Sequence, residues 1–210
     1  VRLNWTRPFI AYLGDRLSLT ADQQEIALYG LQIILYPAVT TLCICLAAWL
    51  LGCLGTTLAA GLAAVLLRLF AHGAHSRSPL TCTLTSVILF PALGKAAQAA
   101  APLLGANVLL PSIMVGFILS LAAVWRLAPA DSPAKPVASA QERRRLRLLS
   151  AIVTCGIAAA QAALLLFAKA STAALALGLG LWWQAFALTG AGHGFATLLD
   201  NLFGKGGSAI

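Results

Sequence analysis

Residues 29–51 read YGLQIILYPAVTTLCICLAAWLL. This stretch holds no Asp, Glu, Lys or Arg, and its apolar side chains do not alternate with polar ones. As a helix it would reach about 35 Å, enough for the roughly 30 Å hydrocarbon core of a bilayer. Inside lipid only helices and closed barrels satisfy every backbone group, and an apolar run without period-two alternation selects the helix. The rest of the chain repeats the pattern. Of 210 residues, 60% are apolar and 10% charged, where a soluble domain carries roughly 25% charged residues. Further apolar runs cover 56–71, 79–101, 109–125, 148–168 and 173–188. The fold class expected is an all-α integral membrane protein with about six transmembrane helices plus an N-terminal amphipathic helix.

Ahead of the first span, Trp5, Phe9, Ile10, Leu13 and Leu17 fall at helical spacing, with Arg2, Arg7 and Arg16 elsewhere on the surface. Such a helix lies on an anionic leaflet. Thr20 with Gln23 three residues on has the form of a capping box, opening a helix that runs unbroken into the first span. The first apolar run starts only near Tyr29 and no small-residue cleavage site follows it closely, so no removable signal peptide is expected. Residues 56–71 span only about 24 Å as a helix, so the loop after them belongs at the membrane surface or slightly within it. Arg68 can snorkel to that boundary. The chain is expected to form one membrane-embedded unit over 1–210: an interfacial segment (1–28), a bundle (29–189) and a cytoplasmic tail (190–210). It has no internal repeat of the kind that builds two-half transporters.

A net charge of +8 on a soluble chain would suggest nucleic acid. Here the charges sit between apolar runs, which makes them topology signals. With the 126–147 loop in the cytoplasm, twelve of the fourteen Lys and Arg fall on that side: Arg2, Arg7, Arg16, Arg68, Arg77, Arg126, Lys135, Arg143, Arg144, Arg145, Arg147 and Lys205. Lys95 and Lys169 fall near the other. Both termini and the 72–78 loop are then cytoplasmic.

Groups able to do chemistry concentrate in Arg68-Leu-Phe-Ala-His72-Gly-Ala-His75-Ser-Arg77-Ser-Pro79-Leu-Thr-Cys82. Ser78-Pro79 is a helix start, with Ser as N-cap and Pro at the first helical position. Cys82 then lies in or just after the first turn, where open N–H groups and the helix dipole favour a thiolate. His75, seven residues earlier, can fold back to take the thiol proton. Gly73 lets the loop bend tightly. On residues alone three readings stand: a Cys/His pair, unrelated interface residues, or metal ligands supplied by His72, His75 and Cys82. The other cysteines, Cys43, Cys45, Cys53 and Cys155, read as small packing residues in or beside apolar runs.

The sequence resembles the accessory gene regulator B (AgrB) family, integral-membrane cysteine endopeptidases of Gram-positive quorum sensing. That family carries an Arg, a G-G-x-H motif, and a Cys seven residues after the His; the matching residues are Arg68, Gly73, His75 and Cys82. Leu28-Tyr29-Gly30, the segment Ala128 to Pro136 followed by the Arg run, and Trp183 to Thr189 also resemble family segments, so the likeness covers nearly the whole chain. Where the family has the first Gly of its pair, this chain has His72, read as an exposed loop residue.

The resemblance implies catalytic His75 and Cys82, with Arg68, Gly73 and Ser78 supporting the loop, and neither cofactor nor metal. It implies as substrate an AgrD-like propeptide: an amphipathic leader, a signal segment with a nucleophilic Cys or Ser, and an acidic tail. Cys82 would cleave off the tail through an acyl-thioester, and the substrate's own nucleophile would close a thiolactone or lactone. Arg143, Arg144, Arg145 and Arg147 would contact the acidic tail or anionic lipid. The implied setting is the cell membrane, multi-pass, with the active site at the cytoplasmic face, the bilayer and propeptide as partners, no nucleic acid, and room for a homodimer. No third catalytic residue is identified: Gln98 and Asn107 fall near the far face, and a backbone N–H at the start of the third span is the candidate oxyanion donor. The competing reading is a non-enzymatic transporter or peptide-export partner. It calls for ionisable residues deep in the spans, where only Lys95 joins Arg68.

Overall fold

The computed structural model describes residues 6–74, 78–130 and 139–203. Among them are eight helices and no strands: α1 (Thr6–Leu17), α2 (Ala21–Leu50), α3 (Leu54–Ala71), α4 (Pro79–Ala100), α5 (Ala106–Leu127), α6 (Ala140–Leu166), α7 (Ser171–Ala187) and α8 (Gly190–Phe203). Five helices, α2 to α6, are long and apolar enough to cross a membrane, and α7 with α8 makes a sixth if that bent pair is one span. The chain is an all-α integral membrane protein, as its composition requires. Its outside is correspondingly apolar, with Leu42, Leu46, Trp49, Leu62, Ile118 and Ile152 all exposed.

Local signals start the helices where the sequence puts them. The Thr20 side chain accepts from the Gln23 N–H (3.3 Å) while Gln23 Oε1 accepts from the Thr20 N–H (2.9 Å), closing the capping box. From there α2 continues without a break into the first span. Gly52, at φ +66, makes the turn into α3, and Gln98 of α4 donates to its carbonyl at 3.0 Å.

The centre of the bundle is α7, packed against α3, α4, α5 and α6. In lipid, helices associate through close approach of small residues rather than through a hydrophobic drive. Here α3 presents Ala60, Ala63, Ala64 and Ala71 inward, all buried, and Gly180 of α7 rests against the Ala60 backbone where no Cβ would fit. Gly94 of α4 meets Thr57 of α3 in the same way. Two buried polar groups are paired within this packing: Gln161 donates to the Ala174 carbonyl at 3.1 Å, and Thr154 to Ser150 at 2.8 Å. Buried Cys53 directs its thiol to the Pro91 carbonyl at 3.7 Å, the packing role expected of it.

Two elements depart from the sequence reading. The arginine run is not a loop, because α6 begins at Ala140, eight residues before the apolar run at Leu148. Ser139 caps it by accepting from the Glu142 N–H (3.1 Å). The segment after Leu188, read as a tail, forms α8, bent 86° from α7. Thr189 caps it, accepting from the Gly192 N–H at 3.1 Å.

Three connections meet at one end of the bundle. The Ala130 N–H, after α5, donates to the Ala71 carbonyl at the end of α3 (3.0 Å), and the Ala74 N–H donates to Ala187 at the end of α7 (2.9 Å). The ends of α3, α5 and α7 are therefore neighbours.

Candidate active site

The site is built where α3 stops. Arg68, in the last turn of α3, reaches forward so that Nη2 donates to the Ala74 carbonyl at 2.8 Å. Gln184 of α7, 1% exposed, donates from Nε2 to the His72 carbonyl at 2.6 Å. With the Ala74–Ala187 bond, the three residues 72–74 are strapped from both sides. Gly73 is required twice over. Its φ is +133, and a Cβ there would lie 3.1 Å from Gln184 Nε2 and 3.3 Å from the Ala187 oxygen.

His72 sits at φ 59, ψ −137, a backbone region that suits glycine and costs a side-chain-bearing residue of order 1–3 kcal/mol. That accounts for a glycine being the usual residue there in the pattern the sequence resembles. The expectation of an exposed His72 is corrected: both ring nitrogens are shielded from solvent, because the strapped loop turns inward against α7.

The next helix opens as its sequence dictates. Pro79 follows the N-cap Ser78, whose hydroxyl accepts from Thr81 N at 3.5 Å, and the Cys82 N–H donates to the Ser78 carbonyl at 3.1 Å. Cys82 thus ends the first turn of α4, half-buried. Thr83, the next residue, bonds Thr40 of α2 at 2.8 Å, fixing the helix start laterally. His75 and Arg77 lie outside the described residues.

A cavity of about 80 Å³ joins these parts, with Arg68, Ala74, Cys82, Thr85 and Ser86 on its polar side. Arg68 and Cys82 thus face the same space. The opposite side is apolar and comes from α7 and α8. Trp183, Phe186 and Phe195 form an aromatic cluster with ring centroids 5.5, 5.9 and 6.3 Å apart, and Leu199 lies alongside.

The four arginines divide. Arg143 Nη1 donates to the Pro129 carbonyl (3.3 Å) and Arg147 Nε to the Ala128 carbonyl (3.0 Å), one helical turn apart and both holding the end of α5. Arg144 and Arg145 are exposed. An open cleft of about 610 Å³ lies along Arg143, Arg144 and Arg147 beside Trp125.

Sequence reasoning missed Gln184 and the α8 wall. Gln184 carries no local signal, since its partner is 112 residues away. For α8 a signal existed: Phe195, Leu198, Leu199 and Leu202 follow helical spacing behind Thr189. Glycines at 190, 192 and 194 hide it by lowering apparent helix propensity.

These features define a multi-pass helical membrane protein with a thiol at a helix start, facing a strapped loop. A family model described as Accessory gene regulator B matches residues 6–188, and the chain belongs to that family. Membership sets it among the membrane proteins of the agr quorum-sensing system and is consistent with an enzymatic role in peptide processing. No curated protein and no solved structure matches the chain.

Proposed function

We propose that the protein is a membrane cysteine endopeptidase that removes the C-terminal tail of an AgrD-like propeptide and promotes cyclisation of the signal segment. The observation that carries this reading is that Ala74 lines the same cavity as Cys82. His75 is the next residue in the sequence.

The Cys82 thiolate attacks the carbonyl joining signal to tail, and the electrons pass to the carbonyl oxygen. The Arg68 guanidinium, which lines the same cavity as Cys82, offsets the negative charge that develops on that oxygen. Collapse expels the tail amine, which takes its proton from the His75 imidazolium. The signal segment is left as a thioester on Cys82. The substrate's own thiol, or hydroxyl, gives its proton to His75 and attacks that thioester, releasing a thiolactone or lactone and restoring the Cys82 thiolate. Exchange of thioester for thioester is nearly thermoneutral, so water must be kept out. The α8 wall beside the sulfur supplies part of that exclusion.

The lysine and arginine distribution supports placing this end of the bundle, and both chain termini, at the cytoplasmic face of the cell membrane. Exposed Arg144 and Arg145 are the members of the basic run suited to an acidic tail. Mass spectrometry of the propeptide co-expressed with Cys82→Ala tests the reading. The propeptide is expected intact; normal cleavage by that variant removes the proposal.

A further inference from the structure

Beside Cys82 the cavity has a defined shape and chemistry that the cleavage reading leaves unused. An acyl group on Sγ carries its first side chain on the carbon next to the carbonyl, two bonds from the sulfur. That side chain must occupy the space adjoining the thiol. Here the space is about 80 Å³, and its lining includes Leu89, Phe90, Phe186, Phe195 and Leu199. A single water takes roughly 10–15 Å³ on this scale, so the room suits one large side chain and not a folded segment. Among the described residues the lining holds no Asp or Glu, and its charged group is Arg68, which donates to Ala74. A lysine side chain would meet that guanidinium and find no anion there.

We propose that this cavity is the subsite for the residue whose carbonyl is attacked, that it selects a large apolar side chain, and that Phe195 and Leu199 of α8 set its size. The inference rests on Cys82 as nucleophile. It adds a specificity site to that reading and gives α8 a function. This helix reaches the cavity only through its 86° bend from α7. Its close seat on α7 depends on Gly192, which packs against the Phe186 carbonyl where a Cβ has no room. The aromatic cluster then ties Phe195 to Trp183 and Phe186, so the wall is fixed at the depth of the sulfur.

The test uses the full chain in phospholipid nanodiscs and acetyl-dipeptidyl acyloxymethyl ketones ending in Ala, Leu, Phe or Lys. These transfer their peptidyl methylene to a thiolate sulfur with loss of a carboxylate. Labelling rates are read by intact mass, with the site mapped by peptide sequencing. Leu and Phe probes are expected to label Cys82 at least 100-fold faster than the Lys probe. Phe195→Ala should shift the Phe-to-Leu rate ratio upward and Phe195→Trp downward, each about tenfold, within the range by which apolar pockets discriminate size. Leu199→Ala gives the same upward shift and serves if a Phe195 variant fails to fold. Cys82 labelled at equal rates by all probes, or ratios unmoved by every wall variant, overturns the subsite while leaving the nucleophile in place. Equal labelling of the Cys82→Ala variant overturns both.

Discussion

The two ends of the bundle are built differently. At the far end the chain turns by local means. The Cys53 N–H donates to Ala48 (2.8 Å), Leu104 to Ala100 (3.0 Å) and Ala170 to Leu164 (2.9 Å), all within six residues. At the other end, the loop after α3 is held by Gln184 and Ala187 from more than a hundred residues away. Positive φ occurs at both ends, at Gly52 and Lys169 there and at His72 and Gly73 here, so the distance of the partners is what separates them. The far-end turns rest mainly on near neighbours, with Gln98 to Gly52 a longer bond among them. Backbone held by distant partners in a costly conformation marks a place where position itself matters.

Substitutions at paired positions can break or sharpen that contrast. Loss of the Cys82 sulfur should be the largest effect, abolishing tail removal as described above. Gly73→Ala comes next. It adds a Cβ at φ +133 against Gln184 and Ala187, and displacing the loop by about 1 Å is expected to slow cleavage on the order of 100-fold. Its far-end counterpart Gly105→Ala meets open space and should leave cleavage unchanged. Propeptide turnover measured side by side decides between them.

Gln184→Leu removes the donor to the His72 carbonyl, at a cost of about 1–3 kcal/mol. Cleavage should fall about tenfold or more. The matching change at the exposed turn, Gln98→Leu, should cost less than about 1 kcal/mol and spare activity. Thermal unfolding in detergent and turnover assays read both; equal losses at the two glutamines would erase the distinction.

Arg144→Glu with Arg145→Glu should lower cleavage several-fold at low salt without lowering stability. The deficit should shrink near 1 M salt, where the Debye length is about 3 Å. Arg143→Gln and Arg147→Gln should instead loosen the end of α5, visible as a lower melting temperature. The smallest effect is expected from His72→Gly, which relieves the positive φ. It should raise stability by about 1 kcal/mol with cleavage retained; a destabilised variant would mean that the imidazole contributes more by packing than its backbone costs.

What was legible in the sequence was what local chemistry controls. Thr20 with Gln23 and Ser78 with Pro79 announced their helices because each cap bonds within three residues. The spans were legible because lipid permits so few alternatives. The site was legible only through the spacing of Arg68, Gly73, His75 and Cys82, which resemblance made meaningful, and His75 lies outside the described residues. Gln184 was not legible, because a glutamine in an apolar run looks the same whether it faces a neighbour or a distant loop. The reach of α6 back to Ala140 was hidden because the apolar run begins only at Leu148, whereas a membrane helix can extend charged turns past the lipid.

The bond from Ala130 to Ala71 links two things the sequence keeps sixty residues apart. It ties the end of α5, which Arg143 and Arg147 of α6 also hold, to the last residue of α3. Those two arginines therefore brace, through one backbone hydrogen bond, the residue that precedes the strapped turn at 72–74.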